Sequence, residues 1–192
     1  MQHSKREALQ ACADDGKSRQ QTRPLLDNRI LGDPGTPAFR VEKYPFFLLN
    51  RLVGRYNGVI EPRLREIGLD IPYWRVLMIL GERNPRGVRD IASAAVIPLS
   101  TMTRIIQRMA AAQLVSLSES AEDARVTQVS LLPLGETKLT EARSVTAPVY
   151  AGIICGLSER DFDRLVSLLE RLHDNLEGFE ASRPRKPRDN GK

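Results

Sequence analysis

Side chains that suit contacts with nucleic acid are concentrated between residues 100 and 111. At 100° per residue, a helix over this stretch has apolar side chains on one side and polar ones on the other. The outward groups are hydroxyls, guanidinium groups, an amide and a methyl: Ser100, Thr103, Arg104, Gln107 and Ala111, with Thr101 and Arg108 at the edges. These groups suit phosphates and base edges in a major groove. A solvated helix is the alternative, but such helices usually mix charge signs, and residues 100–117 include no acid.

A second candidate contact lies at the tip of a predicted hairpin. After residue 113 the apolar period changes from 3.6 to 2, and a returning alternating run follows residue 125. Asp123 and Arg125 lie between the two runs. An arginine at such a tip can enter a minor groove, and the aspartate can hold that arginine or the turn in place. The alternative is an ordinary surface hairpin with a charged turn.

Positive charge is concentrated in two parts of the chain, which has 192 residues and a formal net charge of +5. The last ten residues, 183–192, form a basic tail interrupted by prolines, which predicts disorder. Within the body, the stretch 83–108 holds five arginines against Asp90 alone: Arg83, Arg86, Arg89, Arg104 and Arg108. A basic cluster of this kind attracts polyanions.

The apolar periodicity predicts six helices and one hairpin. The helices are expected at about 44–67, from 72 to about 80, 88–96, 100–113, 133–154 and 159–179. Helix, short helix, turn, helix and hairpin is the order of a winged helix-turn-helix. The predicted fold class is therefore mainly α with a small β wing, in which a winged helix-turn-helix DNA-binding domain is joined to a helical dimerisation domain.

Three stretches resemble the MarR family of bacterial transcription regulators. Residues 88–92 (VRDIA) are similar to the opening of the family's first helix-turn-helix element, which includes Arg89. Residues 100–109 (STMTRIIQRM) are similar to its recognition helix, S-T-x-T-R-x-[IVL]-x-R-[LM]. Residues 123–135 resemble its wing signature, D-x-R-x-x-x-V-x-L-T-x-x-G. The likeness covers about residues 44–180. Leu132 departs from the usual threonine before the fifth helix, and Asp70-Ile71-Pro72 departs from the usual start of the second.

The resemblance implies a homodimer on double-stranded DNA, with two winged domains that reach successive major grooves of a pseudopalindromic operator. Apolar residues of the last predicted helix follow the spacing of a helix that packs on another helix, within the dimer or only within the monomer. We therefore expect a dimerisation region (41–70 and 133–182) and a winged helix-turn-helix domain (71–132). A mobile arm (1–40) and the disordered tail (183–192) complete the predicted organisation.

The family also implies a repressor that a small anion releases from DNA, commonly an aromatic carboxylate or an acyl-CoA thioester. The candidate ligand contacts lie on the first two helices: Asn50, Arg51, Arg55, Tyr56, Trp74 and Arg75. Buried amides and arginines need partners, which either a ligand or the other subunit can supply. The sequence leaves open whether a ligand or the other subunit contacts these residues. It also leaves open a regulator that has no effector, and one that activates transcription instead of repressing it.

Other classes of function find little support in the residues. The sequence contains no Gly-rich phosphate loop, nucleophile–base pairing or His/Cys metal set, so we expect no catalysis, metal or cofactor. Cys12 and Cys155 cannot form a disulfide framework, and the apolar neighbours of Cys155 predict a buried, inert thiol. No apolar run reaches the length of a membrane span, and a cytoplasmic location is the simplest expectation. A winged-helix module that binds protein instead of DNA remains the alternative.

Overall fold

The computed structural model describes residues 27–120, 123 and 125–181. These residues belong to two compact units, one of 27–151 and one of 152–181. The first 26 residues of the predicted mobile arm (1–40) and the whole predicted disordered tail (183–192) lie outside the described residues. No described helix combines the length and the apolar character that crossing a bilayer requires.

The first unit begins with a short folded segment ahead of the long helices. Helix α1 (Asn28–Gly32) is capped by Asp27, whose carboxylate accepts the N–H of Arg29 at 2.9 Å. Turns follow in the Gly- and Pro-rich stretch 32–37, and a 3₁₀ turn spans Val41–Lys43. The backbone N–H of Arg40 donates to the carbonyl of Leu31 at 2.7 Å, which folds the segment back on itself.

Two helices then form one side of the unit, α2 (Pro45–Glu66) and α3 (Ile71–Glu82). Pro45 occupies the first turn of α2, where its missing N–H costs nothing, and Gly68 follows the helix with φ of 75°. Asp70 caps α3 because its carboxylate accepts the N–H of Tyr73 at 2.7 Å. The departure at Asp70-Ile71-Pro72 therefore preserves a capped helix start.

The elements of the predicted winged helix-turn-helix follow in the expected order, with one strand that the periodicity missed. Helices α4 (Val88–Ala95) and α5 (Leu99–Ala111) are followed by β2 (Val115–Glu119) and β3 (Thr127–Leu131). A two-residue strand β1 (Arg86–Gly87) precedes α4 and pairs with β3, so the antiparallel sheet has the order β1-β3-β2. A two-residue strand has too few positions to show an alternating pattern, so the periodicity could not reveal it.

Helix α6 (Pro133–Ile154) begins where the predicted helix begins and closes the core of this unit. The core is one cluster of buried apolar side chains from α2 to α6 and the sheet, including Ile60, Leu64, Leu77, Leu80, Ile91, Met102, Ile106, Met109, Val115, Val129 and Leu139. Gly135 lies so close to the start of β2 that a Cβ there would overlap the carbonyl oxygen of Leu114. The absence of a side chain thus allows α6 to start directly against the sheet.

The second unit contains α7 (Glu159–Ala181), which begins as the sequence predicts. Ser158 caps it, since its hydroxyl oxygen accepts the N–H of Asp161 at 3.2 Å. Between residues 159 and 179 every side chain is exposed or half-buried, including those of the predicted apolar seam. The prediction of a buried, inert thiol at Cys155 is wrong, because this residue is half-buried and disulfide-bonded.

Replacing Gly135 by alanine should destabilise the first unit. The new Cβ would press on the backbone of Leu114, which cannot move away as the end of a flexible side chain can, so we expect a loss of roughly 1–3 kcal/mol. Urea unfolding monitored by circular dichroism measures this loss. Gly54→Ala is the matched control, because a Cβ at Gly54 meets nothing within 4 Å and alanine favours a helix by about 0.5–1 kcal/mol. Equal stability of the two variants would contradict the proposed backbone clash.

Candidate nucleic-acid interface

Helix α5 separates its apolar and polar residues as predicted. Its buried side consists of Met102, Ile105, Ile106 and Met109, which belong to the core. On the opposite side Arg104 and Gln107 are exposed, as are Ser100, Thr101 and Arg108. Thr103, also on this side, is half-buried and donates its O–H to the carbonyl of Leu99 at 2.8 Å. An external group can therefore contact only the oxygen lone pairs and the methyl group of Thr103.

The N-terminus of α5 has no capping side chain and no acidic residue in its first turn. Pro98 occupies the N-cap position, and the first intrahelical bond runs from the N–H of Met102 to the carbonyl of Pro98 at 2.9 Å. The positive end of the helix dipole is thus not neutralised by a nearby carboxylate of the helix itself. This arrangement is compatible with an external anion at the same end of the helix that carries Ser100 and Thr101.

The turn before α5 carries a strained valine. Val96 adopts the left-handed conformation, with φ of 53° and ψ of 47°, and its side chain is 86% exposed. A residue with a Cβ pays roughly 1–2 kcal/mol in this conformation, and branching at Cβ makes it less favourable still. The turn is held by backbone bonds, since the N–H of Ile97 donates to the carbonyl of Ala92 at 3.0 Å.

At the wing, Asp123 holds the turn that carries Arg125. Its carboxylate accepts the N–H of Arg125 at 3.0 Å, and its carbonyl accepts the N–H of Val126 at 2.9 Å. A side chain that bonds the backbone two residues ahead forms an Asx turn. Of the two roles considered for Asp123, the structure favours support of the turn backbone.

The wing, α4 and α5 enclose a groove of about 670 Å³. Its polar lining brings together residues that are far apart in the sequence: Arg89, Asp90, Thr103, Gln107, Asp123 and Arg125. Its apolar lining includes Leu99 and Ile106. The predicted residues Ser100, Thr101, Arg104 and Arg108 lie outside this lining, on the exposed surface of α5.

The predicted basic cluster is partly neutralised. Arg86 has a side chain only 18% exposed and lies 3.6 Å from the carboxylate of Glu82, one residue outside the stretch counted from the sequence. It therefore does not contribute a free charge to the surface. In the described part of the chain, the guanidinium groups of Arg89, Arg104 and Arg125 take part in no ion pair. Exposed cations without carboxylate partners are available to an external anion.

Arg108 has an intramolecular contact that the sequence did not suggest. Its guanidinium carbon lies 5.7 Å from the centre of the Tyr73 ring, within the range of a cation–π interaction. Tyr73 comes from the first turn of α3 and sits beside Trp74 in the sequence. The contact keeps the charge of Arg108 exposed and gives α5 a direct connection to the start of α3.

Of the six predicted ligand contacts, the structure brings Tyr56 and Trp74 together. Their ring centres are 6.1 Å apart, and both are half-buried. The indole N–H of Trp74 is buried without a hydrogen-bond partner, and burial raises the pKa of the Tyr56 hydroxyl, so that it stays neutral. Arg75 is also half-buried, whereas Asn50, Arg51 and Arg55 are exposed on α2.

The arrangement of α3, α4 and α5 with the hairpin defines a winged helix-turn-helix, a class of DNA-binding transcription regulators. The MarR family model matches residues 67–126. The HTH-type transcriptional repressor IacR of Pseudomonas putida is 39% identical over 163 residues, which cover 85% of this chain and 98% of that relative. The chain belongs to the MarR family. It is accordingly a transcriptional regulator and not an enzyme.

Solved structures agree on the fold. BpsR of Bordetella bronchiseptica, whose DNA binding is regulated by 6-hydroxynicotinic acid, is 22% identical with a TM-score of 0.62, over 71% of this chain and 97% of that one. A mutant MarR of E. coli in complex with operator DNA is 14% identical with a TM-score of 0.58, over 65% of this chain and 90% of that one. At these identities the likeness confirms the predicted fold class.

Asp123→Ala should weaken binding to operator DNA about fivefold, the equivalent of one lost hydrogen bond that holds Arg125 in place. Because Asp123 acts through Arg125, it should have no further effect in an Arg125→Ala background. Titration of labelled duplex, read by fluorescence anisotropy, measures both effects. Asp90→Ala is the control, since it removes an acid from the same groove without removing this bond. Tighter binding by both single variants would instead identify Asp123 as a repulsive charge.

Proposed function

We propose that this protein is a sequence-specific, dimeric repressor that a small aromatic acid releases from a pseudopalindromic operator. The observation that carries the proposal is the set of exposed guanidinium groups on α4, α5 and the wing that form no ion pair in the described residues. These groups sit beside Gln107 and Thr103, whose polar atoms can contact base edges. We also propose a cytoplasmic location, because a repressor has to reach its operator.

We expect Arg89, Arg104 and Arg125 to contact phosphates or bases, with Arg125 reaching a minor groove. Ser100, Thr101, Thr103, Gln107 and Arg108 are proposed to lie along the major groove. Asp123 is proposed to act indirectly, through the turn. A protein-binding module would have no need of so many unpaired cations on one surface.

Dimer formation is supported by apolar side chains that the single chain leaves exposed. On α2 these are Phe46, Phe47, Leu48, Leu52 and Val53, and on α7 they are Leu165, Val166, Leu168, Leu169 and Leu176. Apolar surface of this extent usually marks an interaction site. A second copy is the proposed occupant, because a two-fold axis lets identical surfaces cover each other. Residues 41–70 and 133–182 are the proposed dimerisation region.

The proposed effector is an aromatic carboxylate that binds against the pair Tyr56 and Trp74. A buried N–H without a partner costs roughly 1–3 kcal/mol, so an acceptor that reaches Trp74 would gain this energy. The neutral Tyr56 hydroxyl can donate a second bond, and Arg75 supplies a half-buried cation for a carboxylate. Asn50, Arg51 and Arg55 are proposed to lie at the rim. An acyl-CoA thioester would present an aromatic acyl group to the same pair.

Arg104→Ala should lower operator affinity by about tenfold or more while the dimer stays intact. The slope of log K against log salt should fall by about one if Arg104 neutralises a phosphate. Gel mobility shifts at several salt concentrations measure both effects, and sedimentation measures the dimer.

Arg65→Ala provides the matched control, because it removes an exposed arginine that Glu61 already pairs. It should leave the affinity and the salt slope unchanged. Unchanged operator binding by Arg104→Ala would refute the role assigned to the exposed face of α5.

Trp74→Phe should weaken the response to the effector while it leaves operator affinity unchanged, because the change removes the N–H and keeps an aromatic ring. The release of labelled operator by benzoate, 6-hydroxynicotinate and benzoyl-CoA gives the response for each variant. Trp74 is the only tryptophan of the chain, so its fluorescence reports occupancy of the site directly. A wild-type fluorescence change without release of DNA would argue against regulation at this site.

A further inference from the structure

Leu99, the first residue of α5, places an apolar side chain beside Thr103 and Gln107 on the side of the helix proposed to face DNA. It is 43% exposed. Positions 99, 103 and 107 lie four residues apart, so Leu99, Thr103 and Gln107 form one stripe along the helix. All three line the groove between α5 and the wing. Leu99 also lines a shallower groove of about 600 Å³ with Val96 and Pro98.

Packing within the chain leaves a large part of this leucine exposed. Leu99 lies at the edge of the buried face of α5, because Ile106, two turns later, is on the same side of the helix and belongs to the core. A single exposed leucine is common on protein surfaces and needs no explanation by itself. The position of Leu99 does need an explanation, because Leu99 directly precedes Ser100 and Thr101, whose side chains can form hydrogen bonds.

The chemistry of the major groove offers an apolar partner. The N-terminal residues of a recognition helix contact base edges in helix-turn-helix complexes. A leucine can neither donate nor accept a hydrogen bond, and the apolar group that base pairs present in this groove is the 5-methyl group of thymine. We propose that Leu99 contacts a thymine methyl in each operator half-site and so selects a T·A pair there. The inference rests on the proposed function, because it requires α5 to enter the major groove.

The effect of this contact on DNA affinity can be estimated. Burial of one methyl-sized group changes an equilibrium constant about fourfold. Replacing thymine by deoxyuridine removes this methyl and leaves the hydrogen-bonding groups of the base unchanged. The substitution therefore isolates the apolar contact from every polar one.

The experiment uses the full-length protein and a duplex that it selects from a pool of random DNA sequences. Each thymine of the selected half-site is replaced in turn by deoxyuridine, and Kd is measured by fluorescence anisotropy. One position in each half-site should bind about fourfold more weakly with deoxyuridine. Leu99→Ala should bind the thymine and deoxyuridine duplexes equally at that position and keep every other deoxyuridine effect.

Two further variants make the test specific. Leu134→Ala removes a leucine of the same exposure, 45%, from the first turn of α6, and it should keep the full sensitivity to deoxyuridine. Leu99→Gln places an amide where the leucine was, and an amide pairs with adenine. A new selection with this variant should change the preferred base at the sensitive position and at no other.

The possible failures are distinguishable. Persistence of the sensitive position in Leu99→Ala would overturn the inference, as would sequence-specific binding by the wild type without any such position. In both cases the proposed function would stand. A wild-type chain that selects no sequence and binds duplex DNA without salt dependence would overturn the proposed function, and the role of Leu99 would fall with it.

Discussion

Burial of one side of α5 is the constraint on which the proposed DNA-facing surface depends. Met102, Ile105, Ile106 and Met109 are anchored in the core, so the helix cannot rotate without exposing them. The polar and cationic side chains therefore face outward with a fixed orientation. Exposure of Arg104 and Gln107 costs the fold nothing, and the absence of carboxylate partners in the described chain leaves the cations available.

Backbone pairing on both sides of its central strand holds the wing in place. Strand β3 is held on one side by β2, where Leu117 pairs with Val129, and on the other by β1, where Arg86 pairs with the same residue. The close approach at Gly135 then sets where α6 leaves the sheet. With both ends of the hairpin fixed in this way, the Asx turn at Asp123 can determine where Arg125 is presented.

The first turn of α3 connects the proposed effector site to the proposed DNA surface. Trp74 contacts Tyr56 on α2, while its neighbour Tyr73 lies under the guanidinium of Arg108 on α5. Asp70 fixes the start of this turn through its cap. A ligand that ordered Trp74 would thus act on a rigid turn that also bears a contact with α5. The geometry supplies a short physical path between the two proposed sites.

The helices and the wing of this protein could be predicted largely from local sequence patterns. The 3.6-residue period located the long helices, Ser158 and Pro45 marked helix starts, and the spacing of the STMTRIIQRM and Asp123–Gly135 stretches predicted the reading helix and the wing. These features are visible because each depends on residues a few positions apart. Strand β1, the contact between Arg108 and Tyr73, and the grouping of Arg89 with Arg125 were decided by the tertiary structure. Each of these joins segments or atoms whose proximity exists only after the core has formed, so no periodicity along the chain could report it.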